Sequence, residues 1–237
     1  MTAAAAVPGI GAYDDAAATA PDRGAYDAIV LAGGRSSRLG GIDKTALTID
    51  GTSLAARAVT AVGGARAVAY VSSAQAPRWV LAERRIRVAA EDPPWSGPVT
   101  AIAAGLEGLA DRPQRFTVVL AGDLVGAGPA VDHLLARAVH TIDGVVGVDP
   151  DGFSQPLLAV YRTAALRGAV AEVLAATGTP STAGGKGGAS MGAVLARLRL
   201  RGVALRRSWC ADVDTPADAA RHGIVLPMGE VRRVRVA

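Results

Sequence analysis

Arg35, Arg38 and Lys44 stand close together in the segment from Ile29 to Lys44, which reads IVLAGGRSSRLGGIDK. The cations are interleaved with glycines and serines, so backbone N–H groups can approach an anion closely while fixed positive charge neutralises it. The chemistry this favours is the holding of a polyphosphate. Two common phosphate loops do not fit. The P-loop places Ser or Thr after Gly-Lys, whereas here Lys44 follows Asp43, and the G-x-G-x-x-G spacing of dinucleotide-binding folds is absent. The competing reading is a glycine-rich surface turn with solvated charges.

Three acidic positions could complete such a site. Asp123 ends the run FTVVLAGD, Asp214 lies in DVDTP, and Asp92 lies in EDPPWSGP. Each also has a structural reading. An aspartate after a strand serves as a helix cap or Asx turn, Asp212 and Asp214 could both cap a helix opening at Pro216, and Asp92 could form an Asx turn ahead of Pro93. Of the Asp212 and Asp214 pair, Asp212 reads as structural. His133, His140 and His222 form no catalytic constellation, Cys210 beside Trp209 reads as a small core residue, and Ser36, Ser37 and Ser190 have no histidine partner.

These residues need elements to position them. The apolar run Ala28 to Leu31 reads as a buried strand that stops at Gly33-Gly34. Asp50-Gly51 turns the chain, and Ser53 caps a helix through about Val62. Strands are expected over 67–71, ending at Ser72-Ser73, and over 86–89, 116–120, 144–148, 155–161 and near 203–205. Helices are expected over 79–84, 99–109, 129–140, 163–176 and 191–198, with a short one after Pro216. The proline-dense stretch Glu91 to Pro98 must be a shaped loop. Residues 1–24 are expected to be poorly ordered, 25–222 to form one domain, and 223–237 to be a tail. The segment Thr177 to Ala189, with a single Lys186, reads as a lid or insertion. Strands alternating with helices predict a three-layer α/β sandwich with a mostly parallel sheet and a site above the carboxyl ends of its strands.

Composition narrows the function. The chain has 237 residues, 50% of them hydrophobic, and a net charge of +4. No apolar run reaches the roughly 18 residues of a membrane span, and no basic region precedes an apolar one at the N-terminus. A soluble, cytoplasmic protein is expected. One cysteine excludes an internal disulfide and a thiolate metal site. The arginines are scattered and aromatics make up only 4%, which argues against a nucleic-acid surface and for anionic small molecules.

The pattern L-A-G-G-x-S-x-R-x-G-x-x-x-K, with Gly40-Gly41-Ile42-Asp43-Lys44 inside it, resembles the signature of the molybdenum cofactor guanylyltransferases. EDPPWSGP, AGDLV, QPLLAVYR and DVDTPAD support the likeness in order. The resemblance implies a Rossmann-like nucleotidyltransferase fold and transfer of GMP from GTP to a molybdopterin acceptor, releasing pyrophosphate. It implies Arg38, Lys44 and Asp123 as catalytic residues and Mg2+ held by Asp123 and Asp214. The nucleotide would rest on Leu31, Ala32, Gly33, Gly34, Ser72 and Gly97 as well, with Asp92 accepting from the N1 and N2 donors of guanine. Transient contact with other cofactor-biosynthesis or molybdoenzyme partners is implied too. The chain departs from the pattern in having Gly122 where the family usually has Cys, Val125 where it has Pro, and no arginine pair around Lys186. A CTP-dependent enzyme on the same cofactor, a sugar- or alcohol-phosphate nucleotidyltransferase and a non-catalytic nucleotide-binding protein are the alternatives.

Overall fold

The computed structural model describes residues 25–33, 42–177 and 189–226. Gly34, Arg38, Lys186 and the terminal segments 1–24 and 227–237 lie outside the described residues. In chain order the strands are β1 Tyr26–Leu31, β2 Thr48–Ile49, β3 Thr52–Ser53, β4 Val68–Val71, β5 Ile86–Ala89, β6 Phe116–Ala121, β7 Gly144–Val148, β8 Ser154–Arg162 and β9 Leu200–Ala204. The helices are α1 Leu54–Ala61, α2 Arg78–Ala82, α3 Pro98–Gly108, α4 Ala127–Ala138, α5 Thr163–Thr177, α6 Met191–Leu195, α7 Arg207–Cys210 and α8 Pro216–Arg221.

Seven strands form one sheet in the order β5-β4-β1-β6-β8-β7-β9, and β2 and β3 form a separate hairpin. Within the large sheet only β8 runs against its neighbours β6 and β7, so the sheet is mixed but mostly parallel. The alternation of β1 explains the layering. Ala28 and Val30 join one apolar cluster, with α1 and α4 residues such as Ala58 and Leu134, while Ile29 and Leu31 join another, with α3 and α5 residues such as Ile102 and Leu166. Because side chains alternate across a strand, a continuous apolar run is what a sheet covered on both faces demands.

Local signals set most boundaries. Asp50 and Gly51 have φ 51° and 75°, the paired left-handed conformations of a two-residue hairpin turn. Ser53 Oγ accepts from Ala56 N at 3.2 Å and starts α1. Some expectations shift. The helix expected from Pro129 begins at Ala127, with the proline inside its first turn. The last strand begins at Leu200 rather than near Val203, and α7 has no counterpart among the expected helices. Ile224, expected in a tail, is buried with Leu47, Leu54, Val213 and Ala219.

At the amino end of the sheet, Asp27 is only 1% exposed. Its carboxylate accepts from Arg66 Nε at 3.1 Å, Arg66 Nη2 at 3.3 Å, Ala67 N at 3.2 Å and Gln114 N at 3.0 Å. One side chain thus ties together the approaches to β1, β4 and β6. Removing it strands a guanidinium and two backbone donors. Asp27→Ala is expected to cost about 3 kcal/mol, lowering the thermal midpoint by roughly 6–12 °C. A midpoint within 2 °C of wild type (about 0.5–1 kcal/mol) in a melting experiment would show that the anchor is dispensable.

Candidate active site

Register brings four chain ends to one rim. Leu31 lies opposite both Val71 and Ala121, and Val71 lies opposite Ala89. All four strands are parallel, so Ala32-Gly33, Ser72-Ser73, Ala90-Glu91 and Gly122-Asp123 emerge side by side. The ladder continues one residue beyond the strands, with Ala32 N donating to Val71 O at 2.8 Å and Gly122 N to Leu31 O at 2.8 Å. A Cβ added at Gly122 would lie 2.9 Å from Leu31 O and 3.3 Å from Ala32 Cα. The missing side chain therefore lets the Asp123 turn approach the end of β1.

Lys44 is delivered by a single turn of 3-10 helix, Lys44–Ala46, which the Asp43 side chain caps. Asp43 Oδ1 accepts from Thr45 N at 2.9 Å and from Thr45 Oγ1 at 2.7 Å. Lys44 Nζ donates to Asp214 Oδ1 and lies 3.7 Å from Asp123 Oδ2. The ammonium side chain is 16% exposed, Asp123 is 24% exposed and Asp214 is 40% exposed. Asp214 can turn to Lys44 because Thr215, not either aspartate, caps α8. Thr215 Oγ1 accepts from Asp218 N at 3.2 Å, and Asp218 Oδ2 accepts from Thr215 N at 2.9 Å.

Burial pushes the Asp123 carboxyl above the usual range and Asp214 adds to this, while Lys44 opposes it. Asp212 is an exposed residue, yet desolvation of its carboxyl, then Asp214 and Asp123, push it up to about 6, again against Lys44. Lys44 thus meets Asp123 and Asp214 directly and acts on Asp212 only through its field. Among the described residues no group of three histidine, cysteine or carboxylate side chains is arranged to hold a metal. Asp123 and Asp214 nevertheless offer the hard oxygen donors that magnesium takes one or two at a time beside phosphates and water.

A cavity of about 390 Å³ opens over this cluster, lined among others by Leu31, Gly33, Asp43, Lys44, Glu91, Trp95, Gly97 and Asp123. Leu157 also reaches it, from the part of β8 that the register shift opposite Val146 and Gly147 leaves unpaired with β7. Ala32 and Ser72 are buried at the strand ends outside the lining, and Ser72 Oγ accepts from Ala74 N at 3.1 Å. Asp92 is exposed and not among the lining residues. The acid that lines the cavity is its neighbour Glu91, 8% exposed, whose Oε2 accepts from Gly97 N at 3.1 Å and whose pKa burial raises. The Glu-Asp dipeptide carried the signal for both, but not which of them faces inward.

A family model described as MobA-like NTP transferase domain matches residues 28–187. Similar proteins include a probable molybdenum cofactor guanylyltransferase of Mycobacterium bovis (strain BCG / Pasteur 1173P2), 35% identical over 147 residues, 61% of this chain and 71% of that protein. Another of that description, from Mycobacterium ulcerans, is 33% identical over 138 residues, 57% of this chain and 67% of that one. Among solved structures, molybdopterin-guanine dinucleotide biosynthesis protein A from Archaeoglobus fulgidus superposes with TM-score 0.60 and 20% identity, over 83% of this chain and 96% of that one. The 2-C-methyl-D-erythritol 4-phosphate cytidylyltransferase from Thermus thermophilus gives TM-score 0.58 and 14% identity, over 84% and 97%. At these identities the structural likeness is one of fold.

The raised Asp212 pKa has a stability consequence of definite sign. The folded protein holds this proton more tightly than the unfolded chain, which sheds it first as pH rises from 3.8 towards about 6, so stability falls through that window. Asp212→Asn is expected to make the fall shallower and to raise the thermal midpoint at neutral pH. Superimposable melting profiles for the two proteins across the window would show that Asp212 is not coupled to its neighbours.

Proposed function

The chain belongs to the MobA-like NTP transferase family, and on that premise we propose that it transfers GMP from GTP to a molybdopterin-type acceptor, releasing pyrophosphate. The observation that carries this reading is the Lys44 ammonium lying between Asp123 and Asp214 beneath a cavity at the carboxyl rim of the sheet. The names of the mycobacterial relatives support the choice of donor and acceptor.

In this reaction a phosphate oxygen of the acceptor attacks the α-phosphorus, and the bond from that phosphorus to the β-phosphate bridging oxygen breaks. Anion meets anion, so the protein's task is to neutralise charge and hold the groups in line. Lys44 supplies one mobile positive charge at the rim and passes from the carboxylates to phosphate oxygens as the triphosphate enters. Asp123 and Asp214 would hold magnesium, which supplies the remaining neutralisation when bound. Their two carboxylates, with Asp212 nearby, form an acidic cluster whose charged forms a divalent cation would favour. Arg38 is assigned to the phosphates on its place in the signature alone.

Base selection falls to Glu91 in this reading. Guanine presents N1–H and N2–H donors side by side, which one carboxylate accepts together, whereas adenine presents an acceptor at N1. Leu31 and Gly33 line the same cavity, and their backbone groups are assigned to the other side of the base.

A pyrophosphate-release assay with each triphosphate, acceptor and magnesium tests the proposal. GTP is expected to support turnover that chelation abolishes, and turnover with CTP alone rejects the guanylyl assignment. Lys44→Ala and Asp123→Ala are expected to lower kcat by about 10³-fold or more. Asp123→Ala should melt no lower than wild type, because burial already disfavours the charged form of this carboxyl. Wild-type rates in either variant would refute that residue's role. Glu91→Gln is expected to narrow the preference for GTP over ATP by at least about tenfold, with Asp92→Ala leaving it unchanged. The opposite pattern would return base recognition to Asp92.

A further inference from the structure

We propose that Trp95 is a nucleotide-binding residue of this site, its indole face forming the platform on which the nucleobase of the triphosphate stacks. This rests on the nucleotidyl-transfer reading. Of the three tryptophans, Trp95 is the one that lines the cavity, and it is 53% exposed there. The other two pack elsewhere. Trp79 meets Tyr70 edge-on with ring centroids 6.2 Å apart, and Trp209 meets His133 at 5.4 Å under the Arg206 guanidinium.

Its backbone is unusual as well. Trp95 has φ 62°, in the left-handed region that bulky side chains avoid for steric reasons. Such a conformation persists only where the surroundings hold it, and it recurs at ligand-binding positions. Here the surroundings are visible. Glu91 Oε2 pins Gly97 N, Ser96 Oγ donates to Pro93 O, and Pro98 opens α3 immediately afterwards. A large apolar ring held half in water on a fixed loop loses little further freedom when a flat ligand covers it.

The chemistry that suits an indole face is a flat nitrogen heterocycle, stacked with little regard to its identity. Both a nucleobase and a pterin acceptor have such a ring. The nucleobase is favoured because Trp95 shares its loop with Glu91, the buried carboxylate on the same cavity. Stacking then sets the plane of the base and Glu91 reads its edge. The Lys44 end of the cavity is left to the phosphates.

The full chain carrying Trp95→Gly or Trp95→Phe tests this by calorimetric titration with GTP, inorganic triphosphate and 6-hydroxymethylpterin. Glycine adopts φ 62° without strain, so Trp95→Gly should melt no lower than wild type while lacking the ring. The expected result is GTP affinity about tenfold weaker in Trp95→Gly, largely retained in Trp95→Phe, with triphosphate binding unchanged in both. Unchanged GTP affinity in Trp95→Gly overturns the proposal, whether or not pterin binding weakens, and so does an equal loss for inorganic triphosphate. A wild-type protein that binds no nucleoside triphosphate defeats the nucleotidyl-transfer reading itself.

Discussion

The structure at the rim depends on one ammonium shared by two carboxylates. Lys44 meets Asp214 across 170 residues of sequence and meets Asp123 at the end of a strand near the centre of the sheet. Stability alone does not account for this arrangement. Partly exposed ion pairs contribute little, and both Asp123 and Asp212 are pushed towards protonation rather than away from it. Carboxylates whose charged form burial disfavours gain when positive charge enters beside them. That suits a binding site better than a brace.

The sheet divides its ends between the two tasks. At the amino end, Asp27 has every described bond turned inward, to Arg66, Ala67 and Gln114, and draws the strand starts together. At the carboxyl end, level register places Gly33, Ser73, Glu91 and Asp123 just beyond the last paired residues. Parallel strands make this separation possible, because every one of them sends its exit to the same side. Gly122 tightens the arrangement. A side chain there would press on Leu31 O, so its absence goes with a close approach of the β6 turn to β1.

Much of this scaffold was legible from local pattern. The apolar runs of β1, β4 and β6 could be nothing but covered strands, Asp50-Gly51 could be little but a tight turn, and Pro216 had to stand at a helix start. The failures have local causes too. α7 has four residues and no buried face of its own, so no periodicity announces it. The cap of α8 is Thr215 because Asp218 reciprocates its bond, and that reciprocity leaves Asp214 to Lys44. No spacing rule could have paired Lys44 with Asp214, since the contact exists only once the hairpin and the C-terminal turn have packed around Leu54 and Val213. Gly34 and Arg38 lie outside the described residues, and their part rests on the signature that contains them.

The adjacent acids show why a motif locates a site more easily than it names the residue. A chain leaving an edge strand keeps its near-extended alternation for a residue or two, so neighbouring side chains point to opposite sides. Glu91 and Asp92 therefore cannot both face the cavity, and a one-residue error moves a carboxylate from a buried wall into water. Composition, charge and the prolines that follow are the same in either case. What distinguishes them is the bond from Gly97 N to Glu91 Oε2, which folds the loop back over its own acid. The loop thus fixes its carboxylate and its aromatic ring together. Any base entering beside Trp95 meets an acid whose charge burial already resists, and donors on the base edge would relieve that cost.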